Sequence, residues 1–264
     1  MLTKLSDGTP IHCIRKPEAR MLDHHVEGYL QHGININPGD VVFDVGANVG
    51  VFGVRVLQKA PDVKVFCFEP IPEIADALRA NATLHGQGRM VVIEEGVSAS
   101  IGQATFTYFP NTPALSTAHP EQWDENPGAF KEAVKSTMKN PPESMRWMRW
   151  IPTMFSGLIA KYLVKGRHTV TCKLTTIAEV INTHKLDRID LMKIDCEGAE
   201  WDTLMGIGEE HWDKIKSMVI EVHDEDGRLD QVKHLLGSHG FTRQVVEQEE
   251  GLENSKMYNL FALR

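Results

Sequence analysis

The chain has 264 residues, of which 42% are hydrophobic and 24% charged, the composition of an ordinary globular protein. Its formal net charge of -8 argues against a nucleic-acid partner, because phosphate binding requires clustered lysine and arginine. The four cysteines lie far apart without metal-ligand spacing, which favours a reducing, cytoplasmic location. The sequence contains no apolar leader and no apolar run long enough for a transmembrane segment. We find no linker, and we predict a single domain over residues 1–264.

The first 36 residues are predicted to form an N-terminal cap. Asp7 and Gly8 form a hairpin-type turn between two short strand-like pieces. Apolar side chains then recur at helical spacing over residues 20–31. This helix is expected to cover the sheet on the side where a ligand would bind.

The stretch around which the chain is organised begins at residue 41. Residues 41–45 are a short apolar run of β-formers, as in a buried parallel strand. The glycine turn of residues 46–50 follows, and residues 51–57 have the apolar spacing of a buried helix. A strand, a glycine turn and a helix open a βαβ unit, and a nucleotide-like ligand would lie on that turn.

The turn differs from the dinucleotide fingerprint G-x-G-x-x-G, because Asn48 stands where the middle glycine would be. Asp44, just before the first glycine, would repel a pyrophosphate. Its carboxylate suits a ligand that carries an ammonium and a sulfonium, as S-adenosylmethionine does. Glu69 ends the next predicted strand and is placed to accept hydrogen bonds from both ribose hydroxyls.

The middle of the chain first continues this alternation. A helix is predicted over residues 72–84 with Leu84 on its buried face, then a strand over 90–93 and an added antiparallel strand over 103–109. Residues 110–167 break the rhythm with seven prolines and three tryptophans, Trp123, Trp147 and Trp150. A segment this long between strands predicts a lid or substrate insertion.

The end of this insertion, residues 145–165, combines apolar and basic side chains. One interpretation is a helical subdomain that packs on its own core. This interpretation is at least as well supported as a segment that binds a membrane surface. The sharper one is a hydrophobic wall for a bulky acyl or polyketide-like substrate, with basic residues for an acidic partner.

The last third returns to strands and helices. The sheet is expected to resume at residues 168–172, and a helix to start at 175. A central strand over 189–194 runs into an acidic turn, and a further strand over 217–222 ends at His223. The last two strands, 241–246 and 257–263, are predicted to be an antiparallel pair.

Three blocks now coincide: D-V-G-A-N-V-G at residues 44–50, F-E-P at 68–70, and K-I-D-C-E-G-A-E at 193–200. In this order and spacing the chain resembles the FkbM family of S-adenosylmethionine-dependent methyltransferases. The resemblance implies a class I methyltransferase fold, an α/β Rossmann-like, doubly wound sheet of seven mostly parallel strands with a reversed last hairpin. It also implies O-methylation, often on sugars or natural products, including hydroxyls of polyketides. The partner we expect is a small hydroxylated molecule, free or presented by an acyl carrier protein.

Ligands of doubly wound sheets bind at the carboxyl ends of the strands, where the three blocks and residues 96–98 would converge. The cofactor is therefore expected to contact Asp44, Gly46, Ala47, Asn48, Gly50, Glu69, Pro70, Val97 and Ser98. Asp44, Asn48 and the turn glycines would hold its methionine part, Glu69 the ribose, and Val97 and Ser98 the adenine. S-adenosylhomocysteine would be the product.

The acceptor hydroxyl needs a base, since an aliphatic hydroxyl is a poor nucleophile. His223 lies at a strand end, and the usual histidine pKa suits a base near neutral pH. Glu197 or Asp195 could orient it or take the proton instead. The same three residues could bind a divalent metal, a weaker hypothesis for want of a metal-binding spacing. Glu200 is expected to be an acid of a helix first turn, favoured by the helix dipole.

Two other functions remain open at this point. A nicotinamide-dependent oxidoreductase could use a similar sheet, although Asp44 and the missing middle glycine argue against it. A catalytically decayed fold could serve only for docking, although the intact turn, Glu69 and Asp195 argue against decay.

Overall fold

The computed structural model describes residues 1–118, 134–135, 138–139, 150–248 and 256–264. In these residues the strands are β1 (Leu2–Lys4), β2 (Pro10–His12), β3 (Val41–Val45), β4 (Lys64–Phe68), β5 (Met90–Ile93), β6 (Gly96–Val97), β7 (Gly102–Tyr108), β8 (His168–Thr175), β9 (Leu191–Ile194), β10 (Ser217–His223), β11 (Arg243–Glu247) and β12 (Met257–Leu263). The α-helices are α1 (Lys16–Tyr29), α2 (Val51–Lys59), α3 (Pro72–Asn81), α4 (Ser156–Leu163), α5 (Ile177–His184), α6 (Glu200–Met205) and α7 (Arg228–Ser238).

Seven strands form the central sheet in the order β11-β12-β10-β9-β3-β4-β5. The strands β10, β9, β3, β4 and β5 are parallel to one another, whereas β12 is antiparallel to both β10 and β11. The predicted doubly wound sheet with a reversed last hairpin is therefore confirmed. From β3 the sheet continues to one side through β4 and β5, and from β9 it continues to the other side through β10. The connecting segments therefore leave β3 and β9 in opposite directions, and a crevice opens between the carboxyl ends of these two strands.

Helices cover both faces of this sheet. Successive side chains of a strand point to opposite faces, so an entirely apolar strand needs cover on both sides. Val42 packs with residues of α1, α2 and α3, whereas its neighbours Phe43 and Val45 pack with residues of α5, α6 and α7. The apolar run at residues 41–45 is thus buried from both sides. The predicted N-terminal hairpin is present as β1 and β2, and α1 packs on the first of these faces.

The helix predicted over residues 72–84 ends earlier. After Asn81 the chain forms a π-helical turn at Ala82–Gly86, which leaves Leu84 46% exposed. The prediction that Leu84 is buried was therefore wrong, because the wider turn takes that residue off the apolar face. The buried Asn81 side chain lies at this break, and its amide donates to the carbonyl oxygens of His12 and Val49.

A second, three-stranded sheet has the order β6-β8-β7. The expectation that the main sheet resumes at residues 168–172 was therefore wrong. Those residues belong to β8, which pairs antiparallel with β7 over seven residue pairs, from Gly102 to Tyr108. The added antiparallel strand predicted at 103–109 corresponds to β7, and its edge continues in a bridge between Thr107 and Thr117.

The predicted lid, residues 110–167, is described only in part. Trp123, Trp147 and most of residues 119–149 lie outside the described residues. The described end consists of a 3-10 turn at Thr153–Phe155 and α4. Asn111 ties the start of the insertion to its end, because its amide donates to the carbonyl oxygens of Tyr162 and Lys165. No helix in the described part of the chain is long and apolar enough to cross a membrane.

Candidate active site

The glycine turn lies directly against the carboxyl end of β9. Gly46 has φ +75°, and a Cβ built on it would lie 1.8 Å from the backbone oxygen of Asp195. Only glycine fits this position, both for its left-handed backbone and for the close approach. The N–H of Ala47 donates to the Phe68 carbonyl at 2.9 Å, which ties the turn to β4 as well.

Glu69 follows β4 and supports the far side of the turn. Its two carboxylate oxygens accept hydrogen bonds from the backbone N–H groups of Asn48 at 3.1 Å and Ile71 at 3.0 Å. Burial raises the pKa of Glu69 to about 7, although these two bonds favour its charged form. Each oxygen keeps a further lone pair, so the carboxylate can still accept from a ligand hydroxyl.

A buried charge network lies beneath the turn. Lys193, on β9, places its Nζ 3.3 Å from Oδ1 of Asp44 and 3.2 Å from Oδ2 of Asp195, and it donates to the Gly46 carbonyl at 3.0 Å. Tyr29, at the end of α1, donates its hydroxyl to Oδ2 of Asp195 at 3.0 Å. The network joins the first helix, the turn and β9 in one set of contacts.

Asp44 is fully buried, and its charged partner is the Lys193 ammonium, 3.3 Å from Oδ1. Burial raises its pKa, and the charge of Lys193 opposes this shift. The expected direct contact of Asp44 with a ligand does not fit such burial. Its charge, with that of Asp195, instead makes the floor of the turn favourable for a cation.

Asp195 is the more accessible carboxylate of this network, with its side chain 20% exposed. Burial would raise its pKa, but the Lys193 ammonium and the Tyr29 hydroxyl outweigh burial and lower the pKa. Asp195 is therefore an anion at neutral pH. A group held as an anion by two fixed partners suits the binding of a cation better than the uptake of a proton.

A second cluster joins the acidic turn to the end of β10. His223 places Nε2 3.8 Å from Oε2 of Glu197 and Nδ1 3.5 Å from Oε1 of Glu200. The N–H of Gly198 donates to Glu200 at 2.8 Å and fixes that carboxylate. The structure thus brings the predicted Glu197 and His223 together, and it adds Glu200 to them.

The protonation states in this cluster differ from the expected ones. Burial disfavours the imidazolium of His223, but the hydrogen bond and the charge of Glu200 outweigh it and raise the His223 pKa to about 10, with smaller contributions from Glu197 and Glu221. His223 is therefore charged at neutral pH and is not a free base. Burial, together with the nearby charge of Asp195, raises the pKa of Glu197 to about 8. Of the two, Glu197 has the pKa closer to neutral pH.

Val97 and Ser98 lie at the edge of the small sheet, on the side of Pro70. A Cβ built on Gly96 would lie 3.5 Å from Cβ of Pro70, and the Ser98 N–H donates to the Thr175 carbonyl at 2.9 Å. The Val97 side chain is buried in the core. Ser98, which is half-buried, is the side chain of this pair that could meet a ligand.

Sequence reasoning missed Lys193 and Tyr29, and it assigned Glu200 only a helix-dipole role. The signal for Lys193 was a single cation inside the otherwise apolar strand at residues 191–194. Tyr29 carried no such signal, because its partner is 166 residues away. In the described part of the chain, no three His, Cys, Asp or Glu side chains are arranged to hold a metal ion.

Comparison with known proteins adds independent findings. A sequence model described as Methyltransferase FkbM domain matches residues 44–250. The chain is 32% identical to 31-O-demethyl-FK506 methyltransferase FkbM of Streptomyces tacrolimicus, over 99% of the chain and 96% of that protein. It is 31% identical to the AMB antimetabolite synthetase AmbE of Pseudomonas aeruginosa over 90% of the chain, but spans only 11% of that protein.

Among solved structures, the crystal structure of methyltransferase FkbM from Methylobacillus flagellatus KT superimposes with a TM-score of 0.51 at 12% sequence identity. The match covers 92% of this chain and 51% of that one. At this identity the match shows a common fold, in agreement with the seven-stranded sheet.

Proposed function

Because the chain belongs to the FkbM methyltransferase family, we propose that it is an S-adenosylmethionine-dependent O-methyltransferase. The acceptor we propose is a hydroxyl of a natural-product, polyketide-like or sugar molecule. The observation that carries this proposal is the position of Glu197, a carboxyl with a pKa of about 8 on the turn that follows β9, next to the anionic Asp195. Family membership also argues against the nicotinamide-dependent alternative.

The cofactor site we propose is the turn of residues 46–50 with Glu69. Several residues of the turn have left-handed backbone angles, among them Gly46, Asn48 and Gly50. Glu69 would accept from the ribose hydroxyls through its remaining lone pairs, and Pro70 and Ser98 would flank the adenine. S-adenosylmethionine, when bound, supplies an electrophilic methyl group on a sulfonium.

The charge of the site supports a cationic ligand in this place. Asp44 and Asp195 share one cation, Lys193, so the network keeps a net negative charge when both carboxyls are ionised. Fixed anions in a water-poor site stabilise a nearby positive charge more than they would in water. A pyrophosphate would be repelled here.

Glu197 is the proposed general base. A base is most effective when its pKa is near the working pH, and about 8 meets that condition. Its Oε2 lies 3.8 Å from Nε2 of His223. As the acceptor hydroxyl loses its proton to Glu197, the His223 imidazolium would stabilise the oxygen's developing charge. His223 thereby keeps a catalytic role, but as a cation instead of a base.

The insertion of residues 110–167 is proposed as the acceptor-binding lid, and residues 1–36 as the cap on the cofactor side. Support for the lid comes from Thr117, whose hydroxyl touches the turn that carries Glu197. An acceptor presented by an acyl carrier protein is consistent with the similarity to a segment of a synthetase. The chain itself carries no feature that selects a carrier-bound acceptor over a free one.

The test is a mass-spectrometric screen of hydroxylated compounds, both free and carrier-bound, with S-adenosylmethionine as methyl donor. We expect a gain of about 14 Da on one acceptor class, together with formation of S-adenosylhomocysteine. A parallel calorimetric titration compares S-adenosylhomocysteine with NADH. Binding of NADH and not of S-adenosylhomocysteine would reject the cofactor assignment.

A further inference from the structure

Glu197 has an unusual backbone conformation. Its φ is +52°, in the left-handed region that side chains other than Gly, Asn and Asp rarely adopt. Such a conformation costs energy and persists only where surrounding contacts enforce it. The next residue, Gly198, also has a positive φ, of +99°, so two consecutive residues of the turn after β9 lie outside the usual region.

One contact that enforces this turn comes from far along the chain. The hydroxyl of Thr117 donates a 2.7 Å hydrogen bond to the backbone carbonyl of Glu197, which is 80 residues away in sequence. Thr117 is only 1% exposed. A short bond in so buried a place is shielded from competition by water.

Thr117 is itself held firmly. Its N–H and C=O pair with the C=O and N–H of Thr107 at 3.3 Å and 2.8 Å, in an antiparallel bridge that extends the edge of β7. β7 is in turn paired with β8 over seven residues. The hydroxyl therefore projects from the edge of a hydrogen-bonded sheet onto the Glu197 turn.

We propose that Thr117 is a positioning residue, whose hydroxyl fixes the Glu197 backbone and so keeps the Glu197 carboxyl in the crevice beside His223. The inference rests on the proposed function of Glu197 as the base. It gives the first described part of the insertion a role in the reaction that requires no contact with the acceptor.

The physical consequence is a change in the surroundings of the carboxyl. In the fixed position, Glu197 is buried and faces the charges of Asp195, Glu200, His223 and Lys193. Without the bond, the turn can relax toward ordinary backbone angles and carry the carboxyl toward water. Its pKa would then fall from about 8 toward the usual value of 4.5.

The experiment follows this pKa directly and needs no acceptor. Glutamate carboxyl carbons are labelled with 13C in the full chain and titrated by NMR, and Glu197→Gln identifies the resonance of Glu197. Thr117→Val removes the hydroxyl, Thr117→Ser keeps it, and Ser116→Ala is the matched control. Ser116 accepts from the Phe109 N–H at 3.2 Å, a neighbouring bond that does not involve Glu197.

We expect the resonance to titrate near pH 8 in the wild type, Thr117→Ser and Ser116→Ala, and at least one pH unit lower in Thr117→Val. Should Thr117→Val fail to fold, Thr117→Ala takes its place, since it lacks the hydroxyl without adding bulk. An unchanged titration in the folded variant without the hydroxyl would overturn the positioning role and leave the base assignment intact. Titration near pH 4.5 in the wild type would instead reject Glu197 as a base of raised pKa.

Discussion

The Tyr29 hydroxyl donates a 3.0 Å hydrogen bond to the Asp195 carboxylate and thereby joins the end of the first helix to the carboxyl end of β9. Asp195 also holds the ammonium of Lys193 at 3.2 Å. The orientation of this carboxylate is thus set by one residue from the N-terminal cap and one from the central strand.

Tyr29→Phe should weaken both folding and cofactor binding, because it removes a hydrogen bond to a charged acceptor. Such bonds contribute about 1.5–3 kcal/mol. We expect a loss of that order in the free energy of unfolding in urea, and a weaker affinity for S-adenosylhomocysteine by calorimetry. Tyr162→Phe, on the exposed side of α4, is the control and should match the wild type. Equal stability of both variants would show that the Tyr29 bond contributes nothing.

Lys193→Met should be strongly destabilising, because it leaves the fully buried Asp44 carboxylate without its cation. Breaking one side of a buried ion pair typically costs about 3–5 kcal/mol. The double variant Lys193→Met with Asp44→Asn should recover part of this loss, since the unpaired charge is then gone. A double-mutant cycle on urea unfolding measures the coupling between the two residues. Strict additivity would contradict the ion-pair description.

Glu69→Gln should reduce the affinity for S-adenosylhomocysteine, because a neutral amide replaces the carboxylate that we propose accepts from the ribose. Each bond to a charged group is worth about 1.5–3 kcal/mol. In the wild type, affinity should also fall as the pH drops below about 7, where the Glu69 carboxyl becomes protonated. Calorimetry at several pH values measures both effects. An affinity unaffected by the substitution would remove Glu69 from the site.

The main sheet and the glycine turn could be predicted from the sequence because their signals are local. The buried strand at residues 41–45, the glycine turn and the acid at residue 69 each follow from a few consecutive residues. The charge state of His223 could not be predicted, since it depends on Glu197 and Glu200, which only the fold brings near. The same holds for the Tyr29–Asp195 bond and for β8, whose partner strand is distant in sequence.

The free energy of unfolding should decrease as the pH rises, because the fold raises the pKa values of Glu197 and His223. Glu197 has its pKa raised from 4.5 to about 8 in the folded state, so the folded protein binds more protons between these values than the unfolded chain does. Linkage then requires the free energy of unfolding to fall as the pH rises through this window. His223, raised from 6.5 to about 10, has the same sign, and its stabilisation is lost between those values.

Urea unfolding from pH 5 to pH 10 tests this dependence. Glu197→Gln should flatten the slope between about pH 5 and 8, and His223→Gln should flatten it between about pH 7 and 10. A wild-type stability that rises across this range would contradict the assigned protonation states.

The most direct test of Glu197 as the general base is the pH dependence of methyl transfer in the wild type and in Glu197→Gln, measured with the acceptor that the screen identifies. If Glu197 takes the hydroxyl proton, wild-type kcat should rise with pH through about 8, where its carboxyl ionises. Glu197→Gln should lower kcat by ~10²–10⁴, the usual range for a general base, and lose that rise. Its affinity for S-adenosylhomocysteine should stay unchanged. A Glu197→Gln enzyme with wild-type kcat and the same pH profile would show that Glu197 is not the base.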